Sequence, residues 1–237
     1  MKSTALLMLL FLFALACKTQ TQEKKYAFGD SIFVWAFNLD MYENPNPDAK
    51  IVGAIPYGSA VVIVDDSIGK VAYKYKAIES KTFEYGYTSK PFYLEGFWVK
   101  VDFGGTVGYI FDGHISKLEP LLRRYGDIDT TIRTWATEVL KLKSDKYERG
   151  HDAWTNYFGD SKKVAIRIGH DQMTAFTEIK LKNGTLQEGV MLGLQIFKGE
   201  YQFVNFENGV YHFLDGNCHL LVSLKKSDLI IRLSCSC

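Results

Sequence analysis

The hydrophobic period changes along this chain, and each change marks an element boundary. Residues 5–16 form an uninterrupted apolar run behind the single charge of Lys2, and residues 18–25 are polar with no periodicity. From Ile32 onward short β-type runs alternate with turn residues. Residues 32–36, 51–55 and 61–64 are such runs, with Pro56-Tyr57-Gly58 turning the chain between the last two. Residues 98–101 and 107–110 form a tight pair across Gly104-Gly105. No helix-period stretch interrupts them, which predicts an all-β unit over residues 26–119. Inside it, residues 66–96 read as an added hairpin, because residues 71–75 and 82–87 are again β-type.

The second half, residues 120–237, opens with a different period. Ile128, Ile132, Trp135, Val139 and Leu142 step by four, three, four and three, which places them on one helical stripe. Asp127 is placed to cap its start. A polar break over residues 144–152 follows, and Trp154, Tyr157, Phe158 and Gly159 read as a short helical turn. Period two then returns. Met173, Ala175, Thr177, Ile179 and Leu181 share a face, and Asn183-Gly184 predicts a tight hairpin setting Leu181 opposite Leu186 and Thr177 opposite Val190. Asn208-Gly209 repeats the signal, with Phe206 against Tyr211 and Val204 against Phe213. A last turn at residues 225–228 pairs Leu224 with Leu229, Val222 with Ile231 and Leu220 with Leu233. A slip of one residue would expose all of these, so the register is strongly specified. The expected class is mainly β: a small barrel followed by an α+β domain of one helix and an antiparallel meander.

Composition bounds the function. The chain has 237 residues, 47% hydrophobic and 23% charged, with a formal net charge of +1. Without a basic excess it lacks the electrostatic footing for a nucleic-acid backbone, so no nucleic-acid partner is expected. The apolar run at residues 5–16 is too short to span a bilayer and ends in small residues, the layout of a secretory signal peptide. The junction Ala14-Leu15-Ala16-Cys17 resembles the lipobox of bacterial lipoproteins, with Ala14 where Leu is usual. That resemblance implies a leader over residues 1–16, lipidation of Cys17, a tether over residues 17–25, and a location at the bacterial cell envelope with the membrane reached through the lipid.

Leu39-Asp40-Met41-Tyr42, then Asn44-Pro45, Ile51-Val52-Gly53 and Pro56-Tyr57-Gly58, resembles the first half of the bacterial SH3 (SH3b) domain. Residues 96–101 and 105–113, with Trp98-Val99-Lys100-Val101 and Gly108-Tyr109-Ile110, are similar to that family's closing hairpin. One departure is the stretch of about thirty residues between Val64 and Trp98, where the family has a short connection. The resemblance implies a module that binds cell-wall or peptide ligands, so the partners it points to are peptidoglycan or an envelope protein or peptide. Tyr42, Tyr57, Trp98 and Tyr109 are the aromatics nearest the matched motifs and the ligand-binding candidates. Trp98 opens a barrel strand, so a core role is open beside a binding one. The aromatics of the insert, Tyr73 and Tyr75 among them, either cover the barrel or form a ligand platform.

The remaining cysteines lie at the end of the chain. The last hairpin's register brings Cys218 opposite Cys235, within bridging distance, which predicts a disulfide and leaves Cys237 over. A zinc site from His212, Cys218, His219, Cys235 and Cys237 conflicts with strand geometry, since Cys218 and His219 point to opposite faces. No metal or other cofactor is expected. His151-Asp152 and His170-Asp171 sit in no wider ligand pattern, and no nucleophile elbow or phosphate loop occurs. The expectation is a non-enzymatic envelope lipoprotein carrying a binding module. The alternatives are a component of an envelope hydrolase with its site in the second domain, and a structural part of a surface assembly.

Overall fold

The computed structural model describes residues 26–65, 72–82, 88–121, 127–150, 153–159, 163–171 and 173–236. The leader, Cys17, the tether, residues 83–87, His151, Asp152 and Cys237 lie outside them. Two antiparallel sheets make up the fold. The first holds β1 (Ser31–Val34), β2 (Leu39–Tyr42), β3 (Ile51–Ile55), β4 (Ala60–Ile63), β5 (Ala72–Ile78), β6 (Phe92–Phe103), β7 (Thr106–Phe111) and β8 (Ile115–Ser116). Its order is β3-β2-β7-β6-β4-β1-β8, with β5 on the free stretch of β6. Alternate residues of these strands point inward, and Ile32, Val34, Met41, Ile55, Ile63, Val99, Val101 and Ile110 form the barrel core.

The insert extends the barrel along one of its own strands. β5 pairs with the first half of β6, Ala72 opposite Phe97 and Tyr75 opposite Leu94. β5 and the first half of β6 are the two strands of the expected added hairpin. β6 runs for 12 residues and serves both hairpins. Phe92 and Leu94 join the core of the second unit, whereas Val99 and Val101 fill the barrel.

The second sheet follows β9 (Lys143–Arg149), β10 (Ala153–Gly159), β11 (Val164–Asp171), β12 (Thr174–Lys182), β13 (Gln202–Glu207), β14 (Val210–Asp215), β15 (Cys218–Lys225) and β16 (Asp228–Ser236). Two helices precede its halves, α1 (Ile128–Thr134) and α2 (Leu186–Phe197). The strand order β13-β14-β15-β16-β12-β11-β10-β9 makes each half a helix followed by a meander, and the last strands of the two meanders pair at the centre. Asp127 caps α1 by accepting from the Thr130 N–H at 2.8 Å. Trp135–Val139 continue it with a wider turn in which the Leu140 N–H reaches the Trp135 carbonyl at 3.0 Å.

Four expectations are corrected. Asn183-Gly184 turns β12 into α2 and makes no hairpin. Thr185 caps that helix, its hydroxyl accepting from the Glu188 N–H at 3.1 Å. Residues 186–194 carry apolar side chains at most even positions, a strand-like pattern, because a helix buried on most of its circumference is dense in them. The segment at residues 144–152 is largely an edge strand, β9, whose polar side chains suit a sheet border. Trp154, Tyr157 and Phe158 lie in β10, next to it, and form no helical turn. In the β13–β14 hairpin Phe206 faces Tyr211 as expected, but an irregularity between Phe203 and Asn205 places Phe203, not Val204, opposite Phe213. The final hairpin has the expected pairs throughout, Leu224–Leu229, Val222–Ile231, Leu220–Leu233 and Cys218–Cys235.

The two units share one hydrophobic core. Trp35, Phe92, Leu94 and Phe111 of the first pack in the same cluster as Ile132, Trp135, Met191, Ile196 and Phe213 of the second. Trp35 and Trp135 meet edge to face at 6.1 Å. The connection between the units is fastened by aromatic donors: the Trp35 indole N–H to the Leu118 carbonyl, the Trp135 indole N–H to Glu119 and the Tyr57 hydroxyl to Leu121, at 2.8, 3.0 and 3.1 Å. The Ser116 hydroxyl donates to the buried Glu188 carboxylate at 2.6 Å, from β8 to α2.

Candidate functional site

The outer face of the barrel and the flank of α2 enclose a groove of about 460 Å³. Its floor comes from strand alternation. Met41 points into the barrel, so Asp40 and Tyr42 point out, and Ile110 points in, so Phe111 points out. In β6 the inward pair is Val99 and Val101, which turns Trp98 outward. Trp98 is only 6% exposed, yet it belongs to neither core. Its cover is aromatic: Tyr42 stands edge-on at 5.4 Å and Tyr73 lies tilted at 5.1 Å. Tyr73 also meets Phe111 at 5.2 Å, and Tyr75 meets His114 at 4.4 Å. The far wall is Met191, Leu194 and Gln195 of α2, and the turn at residues 35–38 forms one end.

Polar groups in this aromatic lining are left without partners. Asp40 makes no ion pair or hydrogen bond among the described residues. His114 ends a short 3-10 turn, Asp112–His114, and its Nδ1 is shielded from water with no hydrogen-bond partner. Desolvation by burial holds the imidazole at about 4, so it is neutral at pH 7 and offers one N–H and one lone pair. The Tyr42 hydroxyl is raised above its ordinary value, first by burial and then by the charges of Asp40 and Tyr73. Unpaired donors and acceptors among rigid rings are what an oriented ligand requires.

Of the four sequence candidates, the groove brings together Tyr42 and Trp98. Tyr57 stacks on Phe37 at 4.9 Å and holds the connection between the units through its hydroxyl. Tyr109 sits opposite Tyr42 on β7, under the Lys100 ammonium at 5.6 Å, and does not line the groove. His114, Asp40 and the α2 residues carried no signal in the sequence pattern. Tyr73 and Tyr75 did, through the alternation of the insert: they pack on Trp98, Phe111 and His114 and line the groove with the same rings.

The end of the chain is arranged differently. Cys218 and Cys235 form a disulfide across the last hairpin, with Cα atoms 4.0 Å apart. Their sulfurs pack on the second unit's core, while His212 and His219 face each other across β14 and β15, Nδ1 to Nε2 at 3.3 Å. Burial, and then His212, lowers the His219 imidazole. Among the described residues no group of three or more His, Cys, Asp or Glu is placed to hold a metal ion. His170 lies in β11 opposite Trp154 and Ala175, away from the groove. No described helix is long and apolar enough to cross a membrane.

Comparison with curated proteins and with solved structures finds no match. Residues 38–116, which supply Asp40, Tyr42, Tyr73, Trp98 and His114 to the groove, match the family model for the bacterial SH3 domain. The chain therefore carries a bacterial SH3 domain, a binding module, with an inserted strand and a second α+β unit fused to it through a common core.

Proposed function

We propose that this protein is a bacterial cell-envelope lipoprotein whose SH3 domain binds a cell-wall or peptide ligand without chemical turnover, in the groove between the barrel and α2. The observation that carries this reading is the groove itself, in which the unpaired Asp40 carboxylate shares an aromatic lining with Tyr42, Tyr73 and Tyr75. Rigid rings around a free polar group suit an oriented ligand. The leader exports the chain and the lipid on Cys17 holds it at the membrane, two or more acyl chains anchoring stably where one is marginal.

The test is retention of the detergent-solubilised protein on purified peptidoglycan and on immobilised envelope extract. Wild type is expected on one of them, and Tyr73→Ala, which opens the wall, is expected to lose most of the retention. Retention on neither removes the reading. For the anchor, Cys17→Ser is expected to move the protein from the membrane to the soluble fraction, and a variant that stays with the membrane would contradict lipidation.

A further inference from the structure

The groove holds one full charge. Asp40 is its only acidic residue, no Lys or Arg lines it, and His114 is neutral at pH 7. The carboxylate makes no ion pair among the described residues, and Asp40 and Tyr42, two apart on β2, both line the groove. Tyr42 and Tyr73 pack on either side of Trp98, so the carboxylate shares this lining with two partly exposed tyrosine rings. Aromatic faces are negative, and Trp is the strongest of them toward a cation. An anion would be repelled by Asp40 and the ring faces beside it, the Lys198 ammonium being seated over Phe37 at 4.9 Å. A neutral sugar could donate hydroxyls to the carboxylate, but an ammonium adds both its charge and its attraction to the rings.

We infer that the ligand presents a primary ammonium group, held between the Asp40 carboxylate and the rings of Tyr42 and Tyr73, which Trp98 backs from beneath. This rests on the reading of the groove as the ligand site. The ammonium's donors go to the Asp40 oxygens and its charge sits against the rings. The apolar wall of Met191 and Leu194 then takes the carbon chain behind the amine, so the second unit completes a site that the SH3 domain begins. Two sources share this chemistry in a peptide: a free amino terminus and the side chain of a diamino acid.

The experiment measures binding of soluble peptidoglycan fragments to the solubilised full chain, with the fragments used as isolated and after N-acetylation of their amines. Acetylation removes the charge and keeps the rest of the ligand. The expected result is about a tenfold loss of affinity on acetylation, and the same loss for Asp40→Asn with unmodified fragments but no further loss with acetylated ones. Competition by alanyl-alanine amide, whose ammonium is terminal, or by Nα-acetyl-lysine amide, whose ammonium is on the side chain, tells the two sources apart. Equal binding before and after acetylation, or an Asp40→Asn protein that binds like wild type, overturns the ammonium and leaves the wall-binding reading standing. Fragments that bind in neither form remove both.

Discussion

Helix α2 lies so close to the sheet that one of its glycines has no room for a methyl group. A Cβ on Gly189 would stand 2.5 Å from a methyl of Leu229 and 2.6 Å from one of Val222. Carbon atoms pack at about 3.5–4.0 Å, so both side chains must retreat by about 1 Å. Both are fully buried in β15 and β16, and the core behind them is close-packed. Overpacking of this kind costs about 1–3 kcal/mol, against a gain of about 1 kcal/mol from replacing glycine by alanine in a helix interior. With two buried side chains displaced the cost lies in the upper half of that range, so Gly189→Ala is expected to destabilise by about 1–2 kcal/mol, a fall of about 2–8 °C in Tm for a chain of this size. Gly193, one turn on, is the control: its Cβ would meet Ile231 and Leu220 at 3.2 Å, a gap closed by a few tenths of an ångström. There the propensity gain offsets the crowding, and Gly193→Ala is expected to stay within about 0.5 kcal/mol of wild type. Urea and thermal unfolding of the three proteins decide it. A Gly189→Ala protein as stable as wild type by both would show that α2 does not press on the sheet at this point.

Other perturbations have equally definite outcomes. Replacing Cys218 and Cys235 by Ser opens a link between residues 17 apart in sequence. A loop of that length is worth about 3 kcal/mol, to be read as the gap between double variant and oxidised wild type, a gap that a reductant should abolish. His114 binds fewer protons folded than unfolded, because burial holds it at about 4. Its contribution is thus fully present above the unfolded value near 6.5 and is lost as pH falls toward 4, about 3 kcal/mol in all. Equal slopes of urea stability against pH for wild type and His114→Gln between pH 6.5 and 4.5 would contradict this. Tyr57→Phe removes the hydrogen bond to Leu121 and should cost about 1 kcal/mol of stability while leaving ligand binding unchanged. Weakened binding without lost stability would move Tyr57 into the site.

Legibility from sequence followed how local the deciding interaction was. The last hairpin could be read residue by residue, because a short turn and three apolar pairs constrain the same register. The stripe of α1 was equally plain, with Ile132 and Trp135 buried and Asp127 at its cap. The start of α2 was misread because Asn183-Gly184 is a strong hairpin signal. The competing signal was in the chain too, a Thr185 cap with Glu188 three residues on, followed by apolar residues too dense for a one-faced strand. β9 left no trace, since an edge strand exposed to water needs no apolar alternation. The groove was half visible: Tyr42 and Trp98 come from adjacent motif strands, whereas Met191 reaches it only through packing between units, and His114 differs from any loop histidine only by what surrounds it.

The common core changes what kind of object the SH3 domain is. A module that recombination can pass from protein to protein must have an outside that tolerates water wherever it lands. This barrel does not, because the face bearing Trp35, Phe92, Leu94 and Phe111 is interior to the larger body. Cut out as a cassette and spliced elsewhere, it would bring a bare apolar wall and half a groove. Inheritance must then act on the barrel and its partner as one unit, and a substitution in α2 is as much a change to the binding module as one in the barrel itself.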